Sequence, residues 1–420
     1  MTILLIISIN LLVVMAVVQL LIVGLYVVYM RGMPRQESVT DTLNRLPETP
    51  RTAVLLCIRG VEEQLARNLR ALLEQDYRNY QLHIILDSPE DTASPLVAAL
   101  ATEYGERLVV HHLELTGDSA GLKPLGLAQV CESLLADRSW DAFAFTDADS
   151  LQSPSWLSRL LAELFDAGNN GAVTGNRWYS IPRTGSRAGA VIRSLWNLAS
   201  LPQMHLYRVA WGGSWAISSE VLRRSGLVEA WKTTLFEDTL VQKKLAGLGM
   251  RVRTVPGLYS ISDDHVSLPT ARRWIFRQLL DLRLYHNAFP LVAGHALMSG
   301  LIVVLPVFYL VAAIGWRQWL LPLIGILIWI SYQVCNLLIW MWIDQAVRPC
   351  LSVLQLESGA TIKSWSDRIR ALAVTQLAYP LAMWQAILAR QVTWRGIHYQ
   401  LQAGRIQRRN YEVYRPSESD

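Results

Sequence analysis

Apolar residues run almost unbroken from Ile3 to Tyr29, with Asn10 and Gln19 as the main polar interruptions. About 20 such residues cross a bilayer. The run is too long for the apolar stretch of a signal peptide, and no basic residue precedes it. Arg31 and Arg35 follow it, which puts the next segment on the cytoplasmic side. Two more runs, Leu291–Trp316 and Trp319–Ile343, are separated by Arg317 and Gln318 alone and predict a tight helical hairpin. A weaker run, Ile369–Ala389, contains Gln376, Pro380 and Gln385. A basic tail follows it, with Arg390, Arg395, Arg405, Arg408 and Arg409. If 369–389 crossed the membrane, that tail would lie outside, against the positive-inside bias. A re-entrant or interfacial helix avoids the conflict, and both readings stay open.

Between the membrane runs the pattern alternates. TAVLLCI (52–58), YQLHIILD (80–87), RLVVHHL (107–113) and AFAFTD (142–147) read as strands. Helical spacing occupies 60–76, with Leu65, Leu69, Leu72 and Leu73 on one stripe, then Pro95–Tyr104 and Lys123–Leu135. Strands alternating with helices predict a mostly parallel sheet covered on both faces. Ligands bind beyond the carboxyl ends of such strands, where Asp87 and Asp147 fall. Residues 36–50 read as a polar linker, and the tail from Pro416 on as disordered.

Composition fits a soluble domain held between membrane segments: 420 residues, 52% apolar and 17% charged, with mean hydropathy +0.23. The four cysteines show no metal spacing and read as reduced. The net charge of +5 gathers near the apolar runs, which favours anionic lipid over nucleic acid.

Candidate chemistry begins at FTDADS, where Asp147 and Asp149 share one side of an extended chain. Carboxylates so placed repel unless a cation lies between them, and hard oxygens suit Mg²⁺ or Mn²⁺ on a diphosphate. A solvated turn with acidic capping residues is the plain alternative. LFEDTLVQKKL (235–245) sets Glu237 and Asp238 before a helical pattern. They read as capping acids or as a base for an acceptor hydroxyl. WGGSWAIS (211–218) offers Gly212 and Gly213 for close backbone approach, with Ser214 and Trp215 beside them. ARRWIFRQ (271–278) brings Arg273 and Trp274, suited to a diphosphate and a sugar or to anchoring at a membrane surface. Residues 188–211 and 272–286 mix aromatics with arginines and read as interfacial helices able to seat a lipid head group.

The order of these motifs, with RGVEEQLARNLRALLEQDYRNYQL (59–82), ILDSPEDTA (85–93) and VTWRGIHYQL (392–401), resembles the inverting family-2 glycosyltransferases of GT-A fold. It looks most like their ceramide glucosyltransferase branch and its hopanoid-glycosylating relatives. The resemblance implies an α/β, Rossmann-like nucleotide-sugar-binding domain flanked by transmembrane helices. It implies that Asp87 or Asp91 meets the uracil or ribose and that Lys123 lies near the nucleotide. Asp149, with Asp147, would hold Mg²⁺ or Mn²⁺, and Asp238 would be the general base beside Glu237. Arg273 and Trp274 would sit at the mouth of the site, with Gly213, Ser214 and Trp215 on the acceptor side. The family's Q-x-x-R-W element has Thr270 in place of its Gln here, which implies a wider or drier acceptor pocket.

The expected organisation is a transmembrane helix (1–30), a linker (31–50), a cytoplasmic catalytic domain (51–265) and an interfacial helix (266–290). A membrane hairpin (291–345), a further membrane-associated helix (346–390) and a basic tail (391–420) complete it. The expected activity is transfer of one sugar from a nucleotide sugar, such as a UDP-hexose, to a lipid hydroxyl (ceramide-like, diacylglycerol or hopanoid) at the inner, cytoplasmic membrane. A processive polysaccharide synthase is the alternative within the same chemistry. A transporter or lipid-binding scaffold with a dead transferase domain is the alternative outside it, disfavoured by the intact DAD and FED.

Overall fold

The computed structural model describes residues 2–46, 48–166, 170–183, 187–357, 359–360, 362, 364–402 and 405–414. The tail from Pro416 lies outside them. The chain opens with α1 (Thr2–Arg31) and α2 (Gln36–Asn44). It continues with β1 (Thr52–Ile58), α3 (Leu65–Leu73), β2 (Tyr80–Leu86), α4 (Ser94–Tyr104), β3 (Leu108–His112), α5 (Leu122–Ala136) and β4 (Ala142–Asp147). Then come α6 (Trp156–Phe165), β5 (Asn170–Tyr179), α7 (Ala188–Tyr207), β6 (Ser214–Ser218), α8 (Ser219–Ser225), α9 (Leu227–Trp231), α10 (Leu240–Ala246) and β7 (Arg251–Ser262). The last part holds α11 (Leu268–Tyr285), α12 (Phe289–Trp316), α13 (Leu320–Val353), α14 (Trp365–Leu388), β8 (Gln391–Trp394), β9 (Ile397–Gln402) and β10 (Arg405–Arg408).

Seven strands form one sheet in the order β3-β2-β1-β4-β6-β5-β7. The first four are parallel, and β6 runs antiparallel to both β4 and β5. Parallel strands end on one edge, so Asp87 and Asp147 emerge side by side there. A single antiparallel strand beside β4 returns the Trp211–Ser214 loop to that same edge. Apolar cores cover both faces of the sheet.

Four helices, α1, α12, α13 and α14, are long and apolar enough to cross a membrane. Two are continuous with the soluble core: Tyr26 and Met30 of α1 and Ile343 and Leu351 of α13 are buried in the cluster that contains β7. The Tyr26 hydroxyl lies 3.0 Å from that of Tyr259, and the Tyr29 hydroxyl donates to Thr254 O at 2.7 Å.

Four expectations change. The basic tail expected over 391–420 holds β8, β9 and β10. The 31–50 linker holds a helix, α2, anchored by Arg159, which donates to Pro34 O at 2.9 Å and to Gln36 Oε1 at 3.0 Å. The helix expected over 60–76 is confined to Leu65–Leu73. The second hairpin helix continues past 345 to Val353, because its last turns pack on the soluble core.

Candidate active site

The site forms where the carboxyl ends of β1, β2 and β4 meet the loop before α10. Lys123, in the first turn of α5, lies 2.5 Å from Asp147 Oδ1 and also pairs with Glu237 Oε1. Burial alone would lower the Lys123 ammonium, but Asp147 and Glu237 outweigh it and hold it well above the usual lysine value. Burial also pushes Glu237 up to about 7 against the pull of Lys123. Glu237 is therefore a buried positioning group whose charge is spent on Lys123. Asp238 turns the other way. Its Oδ2 accepts from Gly212 N at 2.7 Å and its Oδ1 from Thr239 N at 2.7 Å. The Thr239 hydroxyl also approaches Asp238 Oδ1, at 3.4 Å, and Asp238 lines the cavity described below. Gly212 is required here, because a Cβ would stand 2.6 Å from Glu237 Oε1 and 3.0 Å from Asp238 Oδ2.

Asp149, two residues beyond Lys123's partner Asp147, accepts from the Ser150 hydroxyl at 3.3 Å. Burial first, then Asp147 and Asp264, raise it to about 7. No cluster of three His, Cys, Asp or Glu side chains able to hold a metal occurs among the described residues. The donor set still fits a divalent cation. Such ions take one or two carboxylates and complete their shell with phosphate and water, and the crowded charge at Asp149 favours one.

Asp87 is 7% exposed, pairs with Arg59 through Oδ2, and has no hydrogen-bond partner for Oδ1 among the described residues. Burial, opposed by Arg59, raises it to about 6. Asp91 is committed to backbone: it accepts from Gly60 N at 2.9 Å and Ala93 N at 2.8 Å. Of the two, Asp87 keeps an oxygen free for a ligand.

Other expected residues fall elsewhere. Trp215 is fully buried and stacks on Phe145 with centroids 4.1 Å apart. Ser214 is also fully buried, its hydroxyl accepting from Trp156 Nε1 at 2.8 Å. Both belong to the core because β6 is covered on both faces, which the alternation rule for half-exposed strands does not anticipate. Gly213 admits the Trp211 ring, which would lie 2.2 Å from a Cβ there. Arg273 is exposed and bonds Thr270 Oγ1 at 3.1 Å. Thr270 itself sits in the capped first turn of α11 and does not line the cavity described below. Trp274 is buried against Trp196, 5.2 Å between centroids.

The groups facing the carboxylates follow Arg273 at successive helical turns. Arg277 acts electrostatically on Asp149 and Asp147. Asp281 accepts from the Thr239 hydroxyl at 2.7 Å, while its buried Oδ1 has no hydrogen-bond partner among the described residues. Burial, then Asp238, raise Asp281 well above the carboxylate range. The i, i+4 spacing of 273, 277 and 281 is a signal the sequence carries. Arg177 of β5 completes the set, held by Asn197 and Gln278 at 2.5 Å each.

A cavity of about 190 Å³, partly open to solvent, reaches Asp238. Its wall passes from Trp211 and Asp238, by Met204 of α7 and Leu282 of α11, to Ile302 and Tyr332 of the apolar helices.

A mixed α/β fold around one parallel-rich sheet is how a GT-A glycosyltransferase is built, and this fold is of that class. The chain belongs to glycosyl transferase family 21, whose sequence model matches residues 11–407. Family 21 replaces family 2, to which the motif order is similar. No curated protein matches the chain. Similar solved structures include the mannosyltransferase PcManGT from Pyrobaculum calidifontis in complex with GDP-Man and Mn²⁺. It is 13% identical at TM-score 0.43, over 91% of this chain and 99% of that one. Staphylococcus aureus TarS 1–349 in complex with UDP-GlcNAc is 13% identical at TM-score 0.34, over 86% of this chain and 100% of that one. Glucosyl-3-phosphoglycerate synthase from Mycobacterium tuberculosis, in complex with Mn²⁺, uridine diphosphate and phosphoglyceric acid, is 18% identical at TM-score 0.36, over 58% of this chain and 81% of that one.

Proposed function

We propose that this glycosyltransferase is an inverting, metal-dependent hexosyltransferase. It moves one sugar from a nucleotide sugar, a UDP-hexose, to the hydroxyl of a membrane lipid such as a ceramide-like lipid, a diacylglycerol or a hopanoid. The observation that carries the reading is the cavity whose wall joins Asp238 to the apolar helices. A lipid hydroxyl can enter it sideways and reach Asp238 while its chain stays among α12 and α13.

Asp238 takes the acceptor proton as the oxygen attacks the anomeric carbon from the face opposite the nucleoside diphosphate. The anomeric C–O bond breaks, its electron pair leaves with the diphosphate, and the configuration inverts. Lys123, Arg277 and Arg177 give the leaving group a positive surround. Asp147 and Asp149 would hold Mg²⁺ or Mn²⁺, which when bound neutralises developing diphosphate charge. Asp87 Oδ1 accepts an N–H of the base.

Nucleotide sugars are cytoplasmic, so the catalytic domain faces the cytoplasm of the inner membrane. In this reading α1, α12 and α13 cross, while α14 lies along the surface with α7 and α11, packing against both and against α12. The chain after α14 returns to the catalytic domain, where Arg408 N donates to Asp118 O at 2.6 Å.

The test is incubation of membranes with labelled nucleotide sugars, then lipid extraction and chromatography. One labelled lipid carrying a single sugar is expected. A ladder of many-sugar products would instead favour a processive synthase, and hydrolysis without transfer would sink the lipid acceptor.

A further inference from the structure

The segment after α14 folds over the edge of the sheet where Asp87 lies. Strands β8, β9 and β10 form a small antiparallel sheet. Its first turn, Arg395–Gly396, reaches the catalytic domain: Arg395 bonds Arg59 O and Glu62. Arg59 returns the contact, donating to Arg395 O at 3.0 Å and to Glu412 O at 2.7 Å while pairing with Asp87. Tyr411 donates its hydroxyl to Asp87 O at 2.8 Å. The Arg59 guanidinium lies 5.6 Å from the ring centres of both Tyr411 and Tyr414. Gly60 makes room for this docking: its φ is +81°, and a Cβ there would stand 2.3 Å from the Tyr414 ring.

A heterocyclic base needs an acceptor at its edge and flat apolar surface at its face. Asp87 supplies the edge, since its buried Oδ1 has no hydrogen-bond partner among the described residues. The loop after β1 supplies no aromatic ring, because it reads Arg59-Gly60-Val61. Tyr411 and Tyr414 bring two rings to that loop from the far end of the chain.

We propose that this C-terminal strap is the aromatic wall of the donor's base site, so that the nucleotide binds an assembled pair of catalytic domain and strap. The inference rests on the nucleotide-sugar reading above. Asp87 can use Oδ1 for the base while Oδ2 stays with Arg59, so base and strap occupy the site together. By linkage, nucleotide then holds the strap down.

The test uses the full chain in detergent with UDP as the probe. Tyr411→Ala and Tyr414→Ala should each weaken UDP binding on the order of tenfold. They should raise the donor KM while leaving kcat at saturating donor within about twofold. Tyr414→Phe should restore wild-type affinity. In the wild-type protein, UDP should slow tryptic cleavage at Arg405 and Arg409 several-fold, which needs no variant to fold. Unchanged or tighter UDP binding in both alanine variants, or cleavage indifferent to UDP, would overturn the proposal. A wild-type chain that binds neither UDP nor GDP would overturn the nucleotide-sugar reading itself, a result separable from the strap's.

Discussion

At the scale of single residues, the two acids of the FED motif have opposite jobs. Glu237 is held by Lys123, and Asp238 is held by two backbone amides and lines the cavity. Asp238→Asn should lower turnover on the order of 10²–10⁴-fold. An amide also cannot accept from both Gly212 N and Thr239 N, so a local cost of about 1–3 kcal/mol accompanies the change. Affinity for UDP should hold, measured by calorimetry. A collapse of that affinity would move Asp238 into the nucleotide site. For Asp149→Asn the expectation reverses: donor affinity and transfer both fall, and chelator treatment of the unaltered protein gives the same loss. Near-normal activity with the metal stripped away would exclude its role. The positions of Asp147 at a strand end and of Asp238 before a helix were legible because both are written locally, whereas Lys123 was given by the resemblance alone. Asp281 and Arg277 were not singled out, because their meaning depends on α11 lying across the cleft. Trp215 misled for a related reason: a Gly-Gly turn advertises a ligand, but only packing decides which neighbour faces it.

At the scale of elements, the four parallel strands and the long apolar helices were legible from period and length alone. The polar helix α2 was not, since Val39 is its one buried residue and its place is set by Arg159 of α6. The strap was missed although Ile397, Tyr399 and Leu401 alternate as strand residues should. Their burial needs a distant partner, and short alternation beside a basic tail reads equally as loop. The surface position proposed for α14 can be checked directly. In a background without reactive native thiols, Arg317→Cys and Gln402→Cys would be treated with an impermeant thiol reagent in intact cells. Labelling at position 317 and protection at 402 until lysis is the expected pattern, both side chains being exposed. Labelling at 402 from outside would mean that α14 crosses.

At the scale of the whole molecule, the membrane part and the catalytic part share one hydrophobic cluster. Tyr26 and Tyr29 of α1 are bonded to β5 and β7 through Asn176, Tyr259 and Thr254. Such a seam has no neck. A fragment beginning after Arg31 would leave the partners of Val23, Tyr26, Val27 and Met30 bare, so removing the anchor is a core mutation as much as a change of address. The same seam acts as a gauge. In the proposed reading, the sheet bolted to the helices would hold Asp238 at one height above the bilayer, and an acceptor would be admitted by where along its length the hydroxyl sits as much as by what surrounds that hydroxyl.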